Sequence, residues 1–299
     1  DISGRMGSNL DGNFTLVGNR PMRFNGGNEI FGTMTVSSEK ILEEECCAGR
    51  EITLKGNLIN NGTIRNAENQ GGLTIKAEGN ILNHGIFISR IQFIGNDEQT
   101  IGGTKKFSCT SVWKNPNGKI KASSDLVFDS TSTIDLSSDE LVMGNFKFTK
   151  LSRVDLESGN HIYGGVINSN GEIDITGRFN SSLTGDYTLT GTGNMRIGTV
   201  TFSGNMTIAE GKVVSDEASG GRYLTMNGNI TNYGTIQTTP GYGGITLLLV
   251  GGNYFGFGKT QIRSITLSTN GADRYIRGII NNDLNIHKTE NGGKVIVDG

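Results

Sequence analysis

The stretch Ile52-Thr53-Leu54-Lys55-Gly56-Asn57-Leu58-Ile59-Asn60-Asn61-Gly62-Thr63-Ile64 decides the fold, because it returns at an offset of 172 as Leu224-Thr225-Met226-Asn227-Gly228-Asn229-Ile230-Thr231-Asn232-Tyr233-Gly234-Thr235-Ile236. The match runs without a gap from 34 to 75 against 206 to 247, with 16 identities in 42 positions. Upstream it continues with a one-residue slip, Ser8-Asn9-Leu10 against Ser181-Ser182-Leu183. Self-similarity at a fixed offset is the signature of repeat architecture. The expectation is one continuous solenoid over 1–299, built from a copy at about 8–180 and a second, shortened copy at about 181–299. The opening at Asp1 and the shortened copy suggest a mature product or a piece of a longer chain.

A shorter period lies inside each copy. Ile52-Thr53-Leu54 recurs at an offset of 21 as Leu73-Thr74-Ile75, and Leu224-Thr225-Met226 recurs at the same offset as Ile245-Thr246-Leu247. A unit of about 21 residues is too short for a domain and suits one coil of a β-solenoid. The triplets alternate apolar–Thr–apolar, which is the strand period, with the Thr expected outward. Gly56-Asn57, Asn61-Gly62, Gly71-Gly72, Asn117-Gly118 and Asn291-Gly292 punctuate them as turns. The fold expected is therefore all-β, a parallel β-helix with two or three faces per coil. The stretch from Ser37 to Cys47 is the best local helix candidate, but Val213-Val214 in the second copy favours a loop there.

Composition agrees. The 299 residues include 46 Gly and 31 Asn, with 34% apolar and 19% charged residues. Such a Gly content is unfavourable for a helical bundle. The 3 Pro and the lack of a three-residue Gly period exclude collagen. With 27 basic against 29 acidic residues there is no positive field for phosphate backbones, so no nucleic-acid partner is expected. The apolar run Ile245–Val250 is far short of the ~20 residues of a membrane span.

Reactive groups are sparse. Glu172 with Asp174, Asp135 with Asp139, and Asp155 with Glu157 are the carboxylate pairs that an extended strand would put on one face, as glycoside hydrolysis requires. Solvated strand faces explain them better. His84, His161 and His287 lack metal spacing. Cys46 and Cys47 are adjacent and Cys109 is alone, which suits neither a disulfide framework nor a metal site, although a vicinal or intermolecular disulfide is conceivable. The run Glu43-Glu44-Glu45 suits a solvated turn better than a Ca²⁺ site. No catalytic residue, metal or cofactor is implied.

Two surface readings remain. Aromatics cluster at Tyr242, Tyr254, Phe255 and Phe257; Tyr242 and Tyr254 are candidate glycan contacts, with the Phe rings filling the core. Thr207, Thr225, Thr246 and Thr266 are spaced 18, 21 and 20 apart and are candidates for a Thr ladder, an arrangement that can bind ice.

The segment 284–297, with Glu98-Gln99-Thr100-Ile101-Gly102-Gly103-Thr104 and Asn57-Leu58-Ile59-Asn60-Asn61-Gly62-Thr63, resembles units of repeat-rich secreted β-solenoid surface proteins of Bacteroidota-type bacteria, which are adhesin-like. The resemblance implies an extracellular or cell-surface β-solenoid with a structural or adhesive role, and no catalytic residues. The function expected is a non-catalytic rod. It would associate with itself, as a filament subunit stacking end to end or edge to edge, or with neighbouring repeats of a larger protein, or with glycans. A polysaccharide-binding or polysaccharide-degrading β-helix is the alternative.

Overall fold

A computed structural model describes residues 1–45, 49–108, 119–151, 161–268, 272–278 and 293–298. The described residues contain no α-helix, and every strand pairing among them that sets a register is parallel. The chain divides into two compact units, Asp1–Val142 and Met143–Gly299. Each is a β-solenoid.

In the first unit the strands rotate through three faces. Met34–Val36, Ile41–Glu44 and Arg50–Leu54 make one coil, followed by Leu58–Asn60, Thr63–Arg65 and Leu73–Ala77 in the next. Strands of one face pair only with those of the coils before and after. Met34 registers with Leu58, Leu58 with Ile81, and Ile81 with Ile101, so the step shortens along the stack. The second unit repeats the plan. Tyr187–Leu189, Met206–Ile208, Ile230–Asn232 and Tyr254–Gly256 form one ladder. Val213–Asp216 and Arg222–Asn227 begin the other two faces of a coil. The strands correspond at the offset of 172: Met34–Val36 with Met206–Ile208, Ile41–Glu44 with Val213–Asp216, and Leu73–Ala77 with Ile245–Leu249.

The stretch after Ser37 is thus neither helix nor loop. Ile41–Glu44 and Val213–Asp216 are strands, because each must close the second face of its coil.

The triplets dictate the core. Met34, Val36, Ile52 and Leu54 are buried, and Thr35 and Thr53 between them are less so. Stacking multiplies each choice. Phe87, Phe107 and Phe128 lie one above another with ring centroids 5.5 Å apart at each step. A narrow column filled this way needs few apolar residues, which reconciles the low apolar fraction with a dry core.

Gly and Asn serve the corners. The carbonyl of Gly204 lies 1.9 Å from where a Cβ on Gly228 would sit, and that of Gly228 lies 1.7 Å from a Cβ on Gly252. Asn side chains then tie each corner to the next coil. Asn205 Oδ1 accepts the Asn229 N–H, Asn229 Oδ1 accepts the Asn253 N–H at 2.9 Å, and Asn253 Oδ1 accepts the Tyr275 N–H at 2.9 Å. In the first unit Asn57 and Asn80 do the same for Asn80 and Thr100. These bonds satisfy backbone donors that the short strands leave over.

Candidate functional site

The buried polar residues form the first candidate cluster. Glu44 Oε2 accepts the Ala67 N–H at 3.0 Å and Oε1 accepts the Gly72 N–H at 2.9 Å. At the same offset of 172, Asp216 Oδ1 accepts the Thr239 N–H at 2.6 Å and Oδ2 the Gly244 N–H at 2.9 Å. Both carboxylates are fully buried. Each holds the loop that leads into a strand of the third face. Lys40 and Lys212 are likewise fully buried and 172 apart. Lys40 Nζ donates to Asp1 and to the Ile2 carbonyl. Lys212 Nζ donates to Asp174 at 3.2 Å and to the Ile175 carbonyl at 2.7 Å. Asn60 and Asn232 repeat the theme: Asn60 Nδ2 donates to Asn83 Oδ1 at 2.8 Å, and Asn232 Nδ2 to the Lys259 carbonyl at 3.1 Å. Each of these side chains bonds to the chain itself and so helps to hold the coil together.

This arrangement sets a pH dependence. Burial lowers the Lys212 pKa below 10.5, against the opposing pull of Asp174. The folded chain then binds fewer protons than the unfolded chain just below 10.5, so stability rises with pH through that window. Burial raises the Tyr187 and Tyr254 phenols above 10.0. Above that value the unfolded chain loses phenol protons first, and stability falls. Urea midpoints from pH 7 to 11 are expected to rise and then fall, with the rise diminished in Lys212→Met.

Among the described residues the carboxylate pairs are engaged with neighbouring groups. Glu172 and Asp174 share a strand, but Glu172 pairs with Lys147 at 2.7 Å and Asp174 with Lys212. Ser137 has φ 52, which breaks the alternation: Asp139 is buried and Asp135 bonds the Ser137 N–H at 2.8 Å. Asp155 and Glu157 lie outside the described residues, as do Cys46, Cys47, Cys109, His287, the turns at Asn117-Gly118 and Asn291-Gly292, and most of 284–297. His84 Nδ1 is 3.1 Å from Thr104 Oγ1 on the surface. Among the described residues no group of three or more His, Cys, Asp or Glu is placed to hold a metal. The acidic run is a strand end rather than a solvated turn. Glu43 is buried between Arg23 at 2.9 Å and Arg65 at 3.2 Å.

The Thr ladder is corrected by the register. Thr207 sits between Thr188 and Thr231 on one face. Thr225 and Thr266 share a column on another, with Leu248 between them, and Thr246 stands in the next column between Tyr223 and Ser264. The four do not stack: Thr207 stands on a different face from the other three, and the register sets Thr246 two positions along the strand from the column of Thr225 and Thr266.

The aromatic reading is inverted. Tyr254 is fully buried, and its hydroxyl bonds Thr260 Oγ1 at 2.5 Å and accepts from Asn232 Nδ2 at 3.3 Å. It touches no solvent and is not a glycan contact. Tyr254→Phe leaves those partners short of a bond and is expected to cost about 1–2 kcal/mol by urea titration. Tyr242 is half-buried in the loop that its N–H closes onto the Thr239 carbonyl. Phe257 of the cluster is exposed and stacks on the exposed Tyr233, with ring centroids 5.2 Å apart at 15°. Their facing surfaces are spent on each other, so a sugar ring meets only what is left outside the stack. Asn61 and Gly85 occupy these positions in the first unit.

The first unit carries an open polar groove of about 540 Å³ on its third face. Gly26, Gly49, Gly71 and Gly72 floor it on successive coils, and Arg50, Glu51, Thr74 and Arg90 line it. A Cβ on Gly26 would lie 2.9 Å from Arg50 Cδ, so the Arg50 stem needs the glycine to lie flat. The Gly72 N–H is held by Glu44 beneath. The triplet pattern could not show this groove, since it depends on which coils the glycines share.

No family model, curated protein or solved structure matches this chain. The β-solenoid class therefore rests on the strand register itself. Among the described residues no helix is long and apolar enough to cross a membrane.

Proposed function

We propose that the chain is a non-catalytic structural or adhesive β-solenoid of the cell exterior, a rod segment that assembles as a filament subunit. The observation that carries this reading is the repeated investment in stacking. The same coil, with its buried lysine, its buried carboxylate and its glycine corners, is built in both units. A ladder of parallel backbone bonds reinforced by corner Asn resists shear along the stack, and solenoid edges associate by strand addition. Self-association or joining to neighbouring repeats follows from the same edges. The resemblance to adhesin-like surface proteins supports the extracellular setting.

Electron micrographs of the purified protein across a concentration series test assembly. Fibres that lengthen with concentration are expected; compact monomers throughout would overturn the filament reading. Immunogold labelling of intact source cells tests the location.

A polysaccharide-binding or polysaccharide-degrading β-helix is the second reading, favoured by the exposed Tyr233–Phe257 stack and the arginine-lined groove. A reducing-sugar assay on a polysaccharide panel separates cleavage from binding.

A further inference from the structure

We infer that Arg178 and Arg196, in the second unit, form a carboxylate-binding site, where a carboxylate from outside the chain takes the part that a glutamate plays in the first unit. The two arginines are direct partners on adjacent parallel strands, and Ser215 is next in the same column. Neighbouring rungs of such a ladder lie about 4.8 Å apart, so one small group can reach both guanidinium forks. Each arginine is half-buried at an outward position, between buried neighbours on its strand. Neither makes an ion pair or a side-chain hydrogen bond among the described residues, and Arg178 Nε is without an acceptor. Like charges on directly opposed residues repel, so this pair calls for a counter-charge.

The first unit shows how the same column is neutralised from within. Gly4-Arg5-Met6 and Met22-Arg23-Phe24 align, with the one-residue slip, to Gly177-Arg178-Phe179 and Met195-Arg196-Ile197. The register agrees: Arg5 pairs with Arg23 as Arg178 pairs with Arg196, and Arg23 with Glu43 as Arg196 with Ser215. In the first unit Glu45 meets Arg5, and Glu43 spans Arg23 at 2.9 Å and Arg65 at 3.2 Å. At the offset of 172, Ser215 stands in the place of Glu43, Glu217 in that of Glu45 and Gln237 in that of Arg65. Ser215 carries no charge, and its Oγ donates to Asn194 Oδ1 at 3.0 Å. Glu217 bonds Asn180 rather than an arginine, its Oε2 accepting from Asn180 Nδ2 at 3.1 Å. That bond passes over Gly198, where a Cβ would lie 1.9 Å from Asn180 Oδ1. The arginines are thus kept while the acids that neutralise them are removed or redirected. A planar carboxylate matches guanidinium forks through paired N–H bonds, and Glu43 shows one oxygen serving each of two arginines. The carboxylate can be a free acid or a uronic acid residue of a polysaccharide.

The test is an NMR titration of the full chain at constant ionic strength with sodium acetate, sodium galacturonate, a galacturonate hexamer and a neutral galactose hexamer. The Arg178 and Arg196 Nε–H signals are expected to shift with the acidic probes and not with the neutral hexamer. Those of Arg5 and Arg23, whose acids are in place, are expected to stay still. A shift with acetate or galacturonate means that the free acid suffices; a shift with the acidic hexamer alone means that the site reads a polymer. Both support the proposal. Arg196→Gln is expected to weaken binding at least tenfold. Ser215→Glu restores the acid of the first unit, so it is expected to abolish binding and to raise the urea midpoint. Unmoved Arg178 and Arg196 signals with every acidic probe, an equal response at Arg5 and Arg23, or unchanged affinity in either variant would overturn it. Binding here does not depend on filament assembly, which the micrographs test separately.

Discussion

Gly252→Ala is expected to cost about 3–5 kcal/mol, near the top of the range for one added methyl group. The new Cβ would lie 1.7 Å from the Gly228 carbonyl oxygen and 2.0 Å from its carbon. Both are backbone atoms, so no rotamer change relieves the collision. Relief requires the two coils to part, which strains the pairing of Ile230–Asn232 with Tyr254–Gly256 and the bond from Asn253 N–H to Asn229 Oδ1. Guanidinium denaturation reads the loss. Gly241→Ala is the contrasting variant. A Cβ there meets nothing within 4 Å, so its cost comes only from its φ of 82. Equal losses in the two variants would show that coil spacing is not what the glycine column protects.

Asp216→Ala is expected to cost about 3–5 kcal/mol, because it removes two charge-assisted bonds and strands two backbone donors at once. Thr239 N–H and Gly244 N–H both end on this carboxylate, and the Gly244 contact is buried. Asp216→Asn keeps one acceptor oxygen and should recover roughly half of the loss. Hydrogen exchange gives the sharper reading: the Thr239 and Gly244 amides should lose protection well beyond the change in global stability. Glu44→Ala is expected to act likewise on the Ala67 and Gly72 amides. Unchanged exchange at those amides would mean that the loop is held by its own turn.

Much of this fold was legible in the chain. The apolar–Thr–apolar triplets fixed strand positions and their inward faces, and the offset of 172 named the strands that correspond between the two units. The register between coils was not legible, because turn lengths vary: the chain between partners is far shorter from Thr74 to Arg90 than from Met34 to Leu58. A Thr ladder drawn on an average period therefore fell across three columns. Tyr254 was misplaced for a related reason. Strand parity puts 254 and 256 inward and 255 and 257 outward, and Gly256 leaves the space beside the Tyr254 ring, where a Cβ would lie 2.8 Å from Cε1. Hydrophobicity alone ranks Phe above Tyr for the interior. It cannot foresee Asn232 and Thr260 waiting for the hydroxyl. The Asp216 pin did leave a trace, as an acid kept acidic opposite Glu44 while Glu43 changed to Ser215.

The Asn ties at the corners have a direction. Each side-chain oxygen accepts an amide from the coil that comes later in the chain: Asn205 from Asn229, Asn229 from Asn253, Asn253 from Tyr275. In these ties the finished coil carries the acceptor that seats its successor, while backbone bonds run both ways between coils, as from the Met34 N–H to the Asn57 carbonyl and from the Asn61 N–H to the Val36 carbonyl. For a chain emerging from the ribosome N-terminus first, the template is always made before the piece it receives, so folding can keep pace with synthesis one turn at a time.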